Sequence, residues 1–488
     1  MSNTTTTNPV NLKKTIMLLF SLAVALFFWL VPRTFFGYAD DGITPYLSIN
    51  EQRTVAIFVF AALMWITEAI PAWTTSVVTI VVMLLTISDK GIAFFRSGDP
   101  AAVGNLVSYK SILATFADPT VMLFLGGFIL AIATTKYGID VKLARTMLKP
   151  FGKKPKFVLL GFLIVIGVFS MFMSNTATAA MMLTFLAPIL KQLPSDERGR
   201  VGLALSIPIA ANIGGMGTPI GTPPNAIALQ YLNEQLGINV GFGEWSLHMI
   251  PYVIVMLLFA WVLLLVFFPF KSDKIELKIE NTHGTDTKTI IVWVTFAVTI
   301  LLWMLDHWTG LNANIVAMIP VGVFCATGVI TKEDLKEVSW SVLWLVAGGF
   351  AIGLALDKTG LAVHMIDAIP FHTWPALLVI FVGGLIAYIL SNFIANTAAA
   401  NLIVPILGVL GGSAQVLMNL APLGGVKTLI IGVAISCSVA MMFPISTPPN
   451  AIAHSTGLIK VGDMAKVGAI IGVVGLILGY LMLIVVGF

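Results

Sequence analysis

The chain predicts an all-α polytopic membrane protein built as an inverted repeat, and three observations carry that prediction. Of its 488 residues, 58% are hydrophobic and only 10% charged, against about 25% charged in soluble domains, and the mean hydropathy is +0.97. Apolar runs such as 16–31, 253–268 and 467–486 approach or reach the roughly 20 residues that cross a bilayer as a helix, without the alternation of an outer-membrane barrel strand. A ten-residue phrase is written twice, as Pro219-Ile220-Gly221-Thr222-Pro223-Pro224-Asn225-Ala226-Ile227-Ala228 and Pro444-Ile445-Ser446-Thr447-Pro448-Pro449-Asn450-Ala451-Ile452-Ala453, differing only at Gly221 against Ser446.

In chain order, Lys13 and Lys14 precede the run 16–31, which has no small-residue cleavage site and is read as a retained first helix. Further spans are expected at 54–70, 73–87, 119–135, 201–230, 247–268, 289–305, 311–330, 342–357, 427–453 and 466–486, about eleven in all. Two other apolar segments, 157–190 and 374–410, are interrupted midway by Ser174-Asn175-Thr176-Ala177-Thr178-Ala179 and Ala395-Asn396-Thr397-Ala398-Ala399-Ala400. Both are read as re-entrant helical hairpins. The resulting division is an N-terminal segment with the first helix (1–53), a first inverted repeat (54–270, hairpin 157–190, broken helix 201–230), a cytoplasmic linker (271–288) and a second inverted repeat (289–488, hairpin 374–410, broken helix 427–453).

Loop charge sets the expected orientation in the cytoplasmic membrane. Residues 136–156 hold Lys136, Lys142, Arg145, Lys149, Lys153, Lys154 and Lys156, whereas 231–246 hold no Lys or Arg, so the former are placed inside. Counting spans then gives a cytoplasmic N-terminus and an extracellular C-terminus. Gly126-Gly127 and Gly348-Gly349 mark equivalent helices, read as close packing points, and an odd number of spans between them turns the two halves upside down. Such repeats, with discontinuous helices meeting near the midplane, are a signature of secondary transporters.

Composition narrows the remaining classes. Cys325 and Cys437 lie in apolar runs and form no zinc or disulfide pattern. The net charge of +4 comes with no basic stretch interleaved with aromatics, so no nucleic-acid partner is expected. An enzyme is not expected either: neither His-Glu-x-x-His nor Gly-x-Ser-x-Gly occurs. A channel would want a polar stripe along several helices, whereas polarity here is concentrated at the repeated phrases.

The phrases carry the chemistry. Paired prolines break a helix, and a break in lipid survives only where it is buried in protein or lines a cavity. A half-helix starting after Thr222 or Thr447 turns its partial positive charge on an anion without any Lys or Arg. The hairpin tips offer amide and hydroxyl donors from the other side. Two such anion pockets suit a ligand with two separated carboxylates, so the binding candidates are Ser174, Asn175, Thr176, Asn396, Thr397, Thr222, Pro223, Thr447 and Pro448. Oxygens around the same points are the cation or coupling candidates: Ser170, Ser174, Asn175, Gly217, Ser391 and Asn396, with Na+ expected at the first tip and no other cofactor. Read separately, prolines are common membrane kinks and Asn-Thr pairs are interhelical glue; recurrence of both phrases, in both halves and in the same order, argues against that reading.

Ser174-Asn175-Thr176, two Thr-Pro-Pro-Asn breaks and Trp65-Ile66-Thr67-Glu68-Ala69-Ile70-Pro71 together resemble the divalent anion/sodium symporter (INDY-like) family of di- and tricarboxylate transporters. The match runs from about residue 54 to the C-terminus. The resemblance implies succinate, malate, fumarate or 2-oxoglutarate as substrates, a homodimer held by scaffold helices, and an elevator-like movement of a transport domain. It also implies that the tips bind both carboxylate and Na+. The chain departs from the pattern at Ala395, which lacks the hydroxyl of Ser174, and at His454, which stands where the first repeat has Leu229. A histidine there is either an interfacial residue or a coupling group, and with Ala395 it tilts the expectation toward sodium-independent exchange over symport. Glu68, before Pro71, is expected in a helix-end role.

Overall fold

The computed structural model describes residues 12–39, 42–275, 286–367, 374–412 and 420–488. Every named element among them is a helix. The N-terminal residues before 12 and most of the expected linker 271–288 lie outside the described residues.

Packing divides the chain into two compact units, Met1–Phe116 with Ala347–Ile369, and Ala117–Val346 with Pro370–Phe488. The first holds α1 (Leu12–Leu30), α2 (Ile49–Thr67) and α3 (Ala72–Thr86). Ser48 and Glu51 form a capping box that starts α2, satisfying reciprocal backbone donors. One residue on, Gln52 Nε2 donates to the carbonyls of Phe28 (2.9 Å) and Val31 (2.6 Å), groups that the end of α1 leaves without intrahelical partners. Glu68 closes α2 at φ 46° and is the single non-glycine residue at positive φ among those described; this is the helix-end position expected of it.

The second unit contains α4 (Pro119–Lys136), α5 (Ile139–Leu148), α6 (Pro155–Phe172), α7 (Asn175–Leu190), α8 (Gly199–Gly215), α9 (Pro223–Gln230), α10 (Phe242–Phe267), α11 (Thr287–Met304) and α12 (Ala313–Ala326). The unit boundary falls within α13 (Trp340–Thr359), and α14 (Leu361–Asp367) belongs to the first unit. The second unit resumes with α15 (Ala376–Phe393), α16 (Asn396–Gly412), α17 (Gly425–Ser438), α18 (Pro448–Ser455) and α19 (Val461–Val485).

Nine described helices are long and apolar enough to cross a membrane, including the first arm of each hairpin. Of the eleven expected spans, the remaining four are the two broken helices and two short ones, α3 and α12. One stretch read as loop is helical. In α5, Asp140, Ala144 and Leu148 are buried at four-residue spacing, and the Asp140 carboxylate accepts from Thr135 Oγ1 at 2.9 Å, so the basic loop folds onto the unit by one helical face.

The packing is reciprocal between the halves. Helix α8 packs on α6, α7, α10 and α18, while α17 packs on α15, α16, α19 and α9. Exchanging the halves leaves this pattern unchanged. Close approach is set by glycine: a Cβ on Gly126 would collide with the Ala317 carbonyl of α12, and one on Gly348 with Ser76 of α3.

Candidate functional site

The interrupted segments fold as the residues dictate. At the first tip α6 stops at Phe172, Met173 is extended (φ −126°, ψ 159°) and Ser174 N-caps α7. At the second, Ile394 takes almost the same conformation (φ −128°, ψ 166°) and α16 begins at Asn396. Ser174 makes no capping hydrogen bond through its side chain. Its replacement by Ala395 therefore leaves the turn intact. Helix geometry leaves the first-turn amides of α7 and α16 without intrahelical acceptors, next to Thr176 and Thr397, which are half-buried.

One turn before each tip, a serine joins the asparagine to the neighbouring broken helix. Ser170 Oγ contacts Asn175 Oδ1 and donates to the Ala211 carbonyl at 2.7 Å. Ser391 Oγ lies 2.8 Å from Asn396 Oδ1 and 3.0 Å from the Cys437 carbonyl. A hydroxyl has one proton for these two oxygens, so each tip gathers three oxygens around a single hydrogen. Such a cluster suits a hard cation. With the amide turned, asparagine Nδ2 would donate to the serine and close the network without one.

The breaks span 216–222 and 439–447. Asn225 Nδ2 reaches back to the carbonyls of Thr218 (2.8 Å), Gly215 (3.1 Å) and Met216 (3.4 Å), and Trp245 Nε1 also donates to Met216 at 3.0 Å. Asn450 Nδ2 does the same for Met441 (2.9 Å) and Phe443 (3.0 Å). The asparagine of Thr-Pro-Pro-Asn is thus a staple for carbonyls that the break sets free. Each of those carbonyls thereby gains a donor, and Gly215 and Met441 keep a second lone pair. Prolines at the first two positions of α9 and α18 also withhold two amides from each half-helix. The tips are accordingly the richer source of donors for an anion.

Each break is pinned to its tip. Thr218 Oγ1 donates to the Met171 carbonyl, and Ser446 Oγ donates to the equivalent Asn392 carbonyl at 2.9 Å. The halves differ in closeness. A Cβ on Gly215 would lie 2.9 Å from Asn175 Oδ1, and one on Gly221 2.8 Å from the Ser170 carbonyl. Ala440 and Ser446 occupy the corresponding places in the second half. The first break is buried, with Ile220 9% exposed, whereas Ile445 in the second is 54% exposed.

The structure pairs Ser170 with Asn175, Ser391 with Asn396, and Thr447 with Asn212 and Asn450, whereas the Ser174 and Thr222 side chains make no capping bond. Gly217 lies in the first break against the Met171 side chain. His454 stands apart at the end of α18, its Nδ1 bonded to the Ile459 carbonyl at 2.9 Å. Sequence reading missed Asn212, Thr218 and Asn392, whose partners lie tens to hundreds of residues away along the chain. A polar residue in an otherwise apolar helix was the available signal for Asn212. A cavity of about 920 Å³ borders the first break at Pro219 and Ala226, but its wall includes Glu234, Glu244 and Asp306. Those carboxylates make it an unfavourable anion receptor; none of the tip residues lines it.

Residues 62–424 match the citrate transporter family model, CitMHS. An uncharacterized transporter of Haemophilus influenzae is 34% identical, over 86% of this chain and 88% of its own length. A sodium-dependent dicarboxylate transporter, SdcS, of Staphylococcus saprophyticus is 29% identical, over 86% and 83%. An uncharacterized transporter of Schizosaccharomyces pombe is 32% identical over 87% of this chain, which spans about half (48%) of that relative. Among solved structures, the Alcanivorax borkumensis YdaH transporter superposes with a TM-score of 0.52 at 12% identity, covering 78% of this chain and 88% of that one, a likeness of fold. The chain belongs to the citrate transporter family, within the divalent anion/sodium symporter group that its motifs resemble, and it is a multi-pass membrane transporter rather than an enzyme.

Proposed function

We propose that this protein is a secondary carrier of small dicarboxylates such as succinate, malate, fumarate or 2-oxoglutarate. The observation that carries the reading is the duplicated arrangement of an Asn-Thr tip, open at its helix N-terminus, seated on a stapled helix break. Two such donor sets, related by the reciprocal packing, match two carboxylates. The relative named a sodium-dependent dicarboxylate transporter supports the substrate class.

For coupling, Ala395 and His454 pointed toward exchange. The hydroxyl missing at Ala395 makes no capping bond in its Ser174 counterpart, and His454 is engaged by local backbone. Both tips keep the three-oxygen cluster. Sodium-coupled symport is therefore the better supported coupling, with exchange as the second reading. Moving a dianion inward against 100 mV costs about 4.6 kcal/mol, at about 2.3 per charge, and cotransported cations or a counter-anion must offset it.

The bonds that join each break to its tip, Thr218 to the Met171 carbonyl and Ser446 to the Asn392 carbonyl, support re-entrant hairpins. Lys136 bonds the Val329 carbonyl (3.0 Å) and Asp334 (2.6 Å), and Ile275 N donates to Lys153 at 2.8 Å. Loops assigned to the cytoplasm are thus in contact, in keeping with the cytoplasmic N-terminus and extracellular C-terminus. Division into two inverted repeats, an elevator movement and a homodimer complete the proposal on the family resemblance.

The test is uptake of labelled succinate into proteoliposomes, with Na+ replaced by choline and with or without internal dicarboxylate. Symport predicts filling of empty vesicles only with external Na+; exchange predicts filling only with internal dicarboxylate. Failure of every dicarboxylate to compete would overturn the substrate class. Asn175→Ala and Asn396→Ala are each expected to abolish uptake while leaving a folded protein, and activity retained in both would remove the tips from the site.

A further inference from the structure

Among the described residues, Asn212 carries polar contacts between the halves at the breaks. Asn212, in the last turn of α8 and 3% exposed, donates through Nδ2 to Thr447 Oγ1 and to Asn450 Oδ1, both at 3.1 Å. Thr447 Oγ1 also accepts from the Asn450 backbone amide at 3.3 Å. A hydroxyl has two acceptor lone pairs and one proton. With both lone pairs engaged, the Thr447 hydroxyl is left with its proton to give, and no acceptor among the described residues is recorded for it.

The other half lacks this device. Aligning the repeated phrases places Cys437 at the position of Asn212, and α17, which carries it, packs on α9. The Cys437 thiol is a weak donor and is engaged with the Ser391 side chain of α15. In keeping with that, Asn225 Oδ1 is buried without a partner, although Asn225 is 1% exposed. Thr222, the counterpart of Thr447, makes no capping bond. The second break is also the more exposed one, so it depends more on a tie from outside its own segment.

We infer that Asn212 is a positioning residue that, acting through Thr447 and Asn450, orders the second break and commits the Thr447 hydroxyl to donate toward a bound carboxylate, while Cys437 leaves the first break without the equivalent tie. The inference rests on the proposed carrier function for its ligand, but the ordering it requires is measurable without one.

The experiment uses the full-length protein with Asn212→Ala, Asn212→Leu and Cys437→Asn. Leu is close to Asn in size and shape and carries neither donor nor charge, so a residue that merely fills space tolerates it. Hydrogen–deuterium exchange of residues 441–451 in the ligand-free protein is expected to quicken about tenfold in both Asn212 variants. In succinate uptake, KM is expected to rise about tenfold with Vmax within about twofold. Cys437→Asn is expected to slow exchange in 216–226 by supplying Asn225 with a donor. Wild-type exchange in 441–451 for both Asn212 variants overturns the inference, as does wild-type KM in Asn212→Leu. Unchanged exchange in 216–226 for Cys437→Asn overturns the asserted inequality of the halves. If the wild-type protein takes up no dicarboxylate, the carrier proposal fails, and the exchange measurements still decide whether Asn212 orders the break.

Discussion

Replacing Gly221 by serine makes the first phrase identical to the second, so the duplication alone predicts a harmless change. The structure predicts a damaging one. A Cβ at Gly221 would stand 2.8 Å from the Ser170 carbonyl oxygen and 2.9 Å from the Gly215 Cα, besides colliding with the Gly215 carbonyl. All three neighbours are backbone atoms, which cannot rotate away as a side chain would. Overpacking of this kind costs about 1–3 kcal/mol or more. The displaced atoms belong to the Ser170–Asn175 tip and the stapled break, so relaxation would move the candidate site itself. The second half accommodates Ser446 because its hydroxyl donates to the Asn392 carbonyl at 2.9 Å and accepts from Phe443 N at 3.2 Å. Ser446→Ala should therefore also destabilise, by about 1–3 kcal/mol through unsatisfied buried groups. The assay is thermal unfolding of the purified protein in detergent, paired with uptake in proteoliposomes. Gly221→Ser is expected to lower the transition temperature and to reduce uptake. A variant with wild-type stability and transport would refute the backbone packing on which the tip–break description depends.

Other substitutions probe separate parts of the argument. Asn225→Ala removes the donor for the Gly215 and Thr218 carbonyls in a buried site, and at about 1–3 kcal/mol for each unsatisfied group the expected loss is about 2–6 kcal/mol, read from thermal unfolding; no loss would mean that the staple is dispensable. Glu68→Gly should stabilise by about 1 kcal/mol, because φ 46° strains a residue with a Cβ; a drop in transition temperature would assign Glu68 a role beyond the helix end. Glu197 is buried, which opposes its charge, but hydrogen bonds from the Ser272 side chain and from the backbone of Ser272 and Lys271 hold its carboxyl below the usual range. A lowered folded-state value means that this stabilisation is present above the ordinary glutamate value of about 4.3 and is lost as pH falls through the folded value. Glu197→Gln should accordingly flatten the acid limb of the stability profile, and an unchanged limb would exclude the carboxylate.

Much of the architecture was legible because its causes are local. Apolar run length determines which segments cross, and the Pro-Pro pairs place the breaks after Gly215 and Ser438. The helix–turn–helix interruptions within 157–190 and 374–410 were legible from a polar phrase in the middle of an apolar run. The short helix Ile139–Leu148 was not, because its basic residues mask a buried face visible only against the rest of the unit. The site was legible as a set of phrases, with the partners of those phrases hidden. Nothing in Thr-Pro-Pro-Asn says that its asparagine turns back on its own break, and nothing in Ser391-Asn392-Phe393 says that the Asn392 carbonyl receives Ser446.

The sequence by itself determined the membrane class, the internal duplication, and the position of each tip and break. Each follows from hydropathy or proline chemistry acting within a few residues. Only the tertiary structure decided how the duplicated halves differ: Gly221 pressed against the Ser170 and Gly215 backbone where Ser446 has room, Asn212 tied to Thr447 and Asn450 where Asn225 Oδ1 is left without a partner, and His454 turned to its own loop. The physical reason is that a buried polar atom is defined by its partner, and in this fold the partner comes from a distant part of the chain.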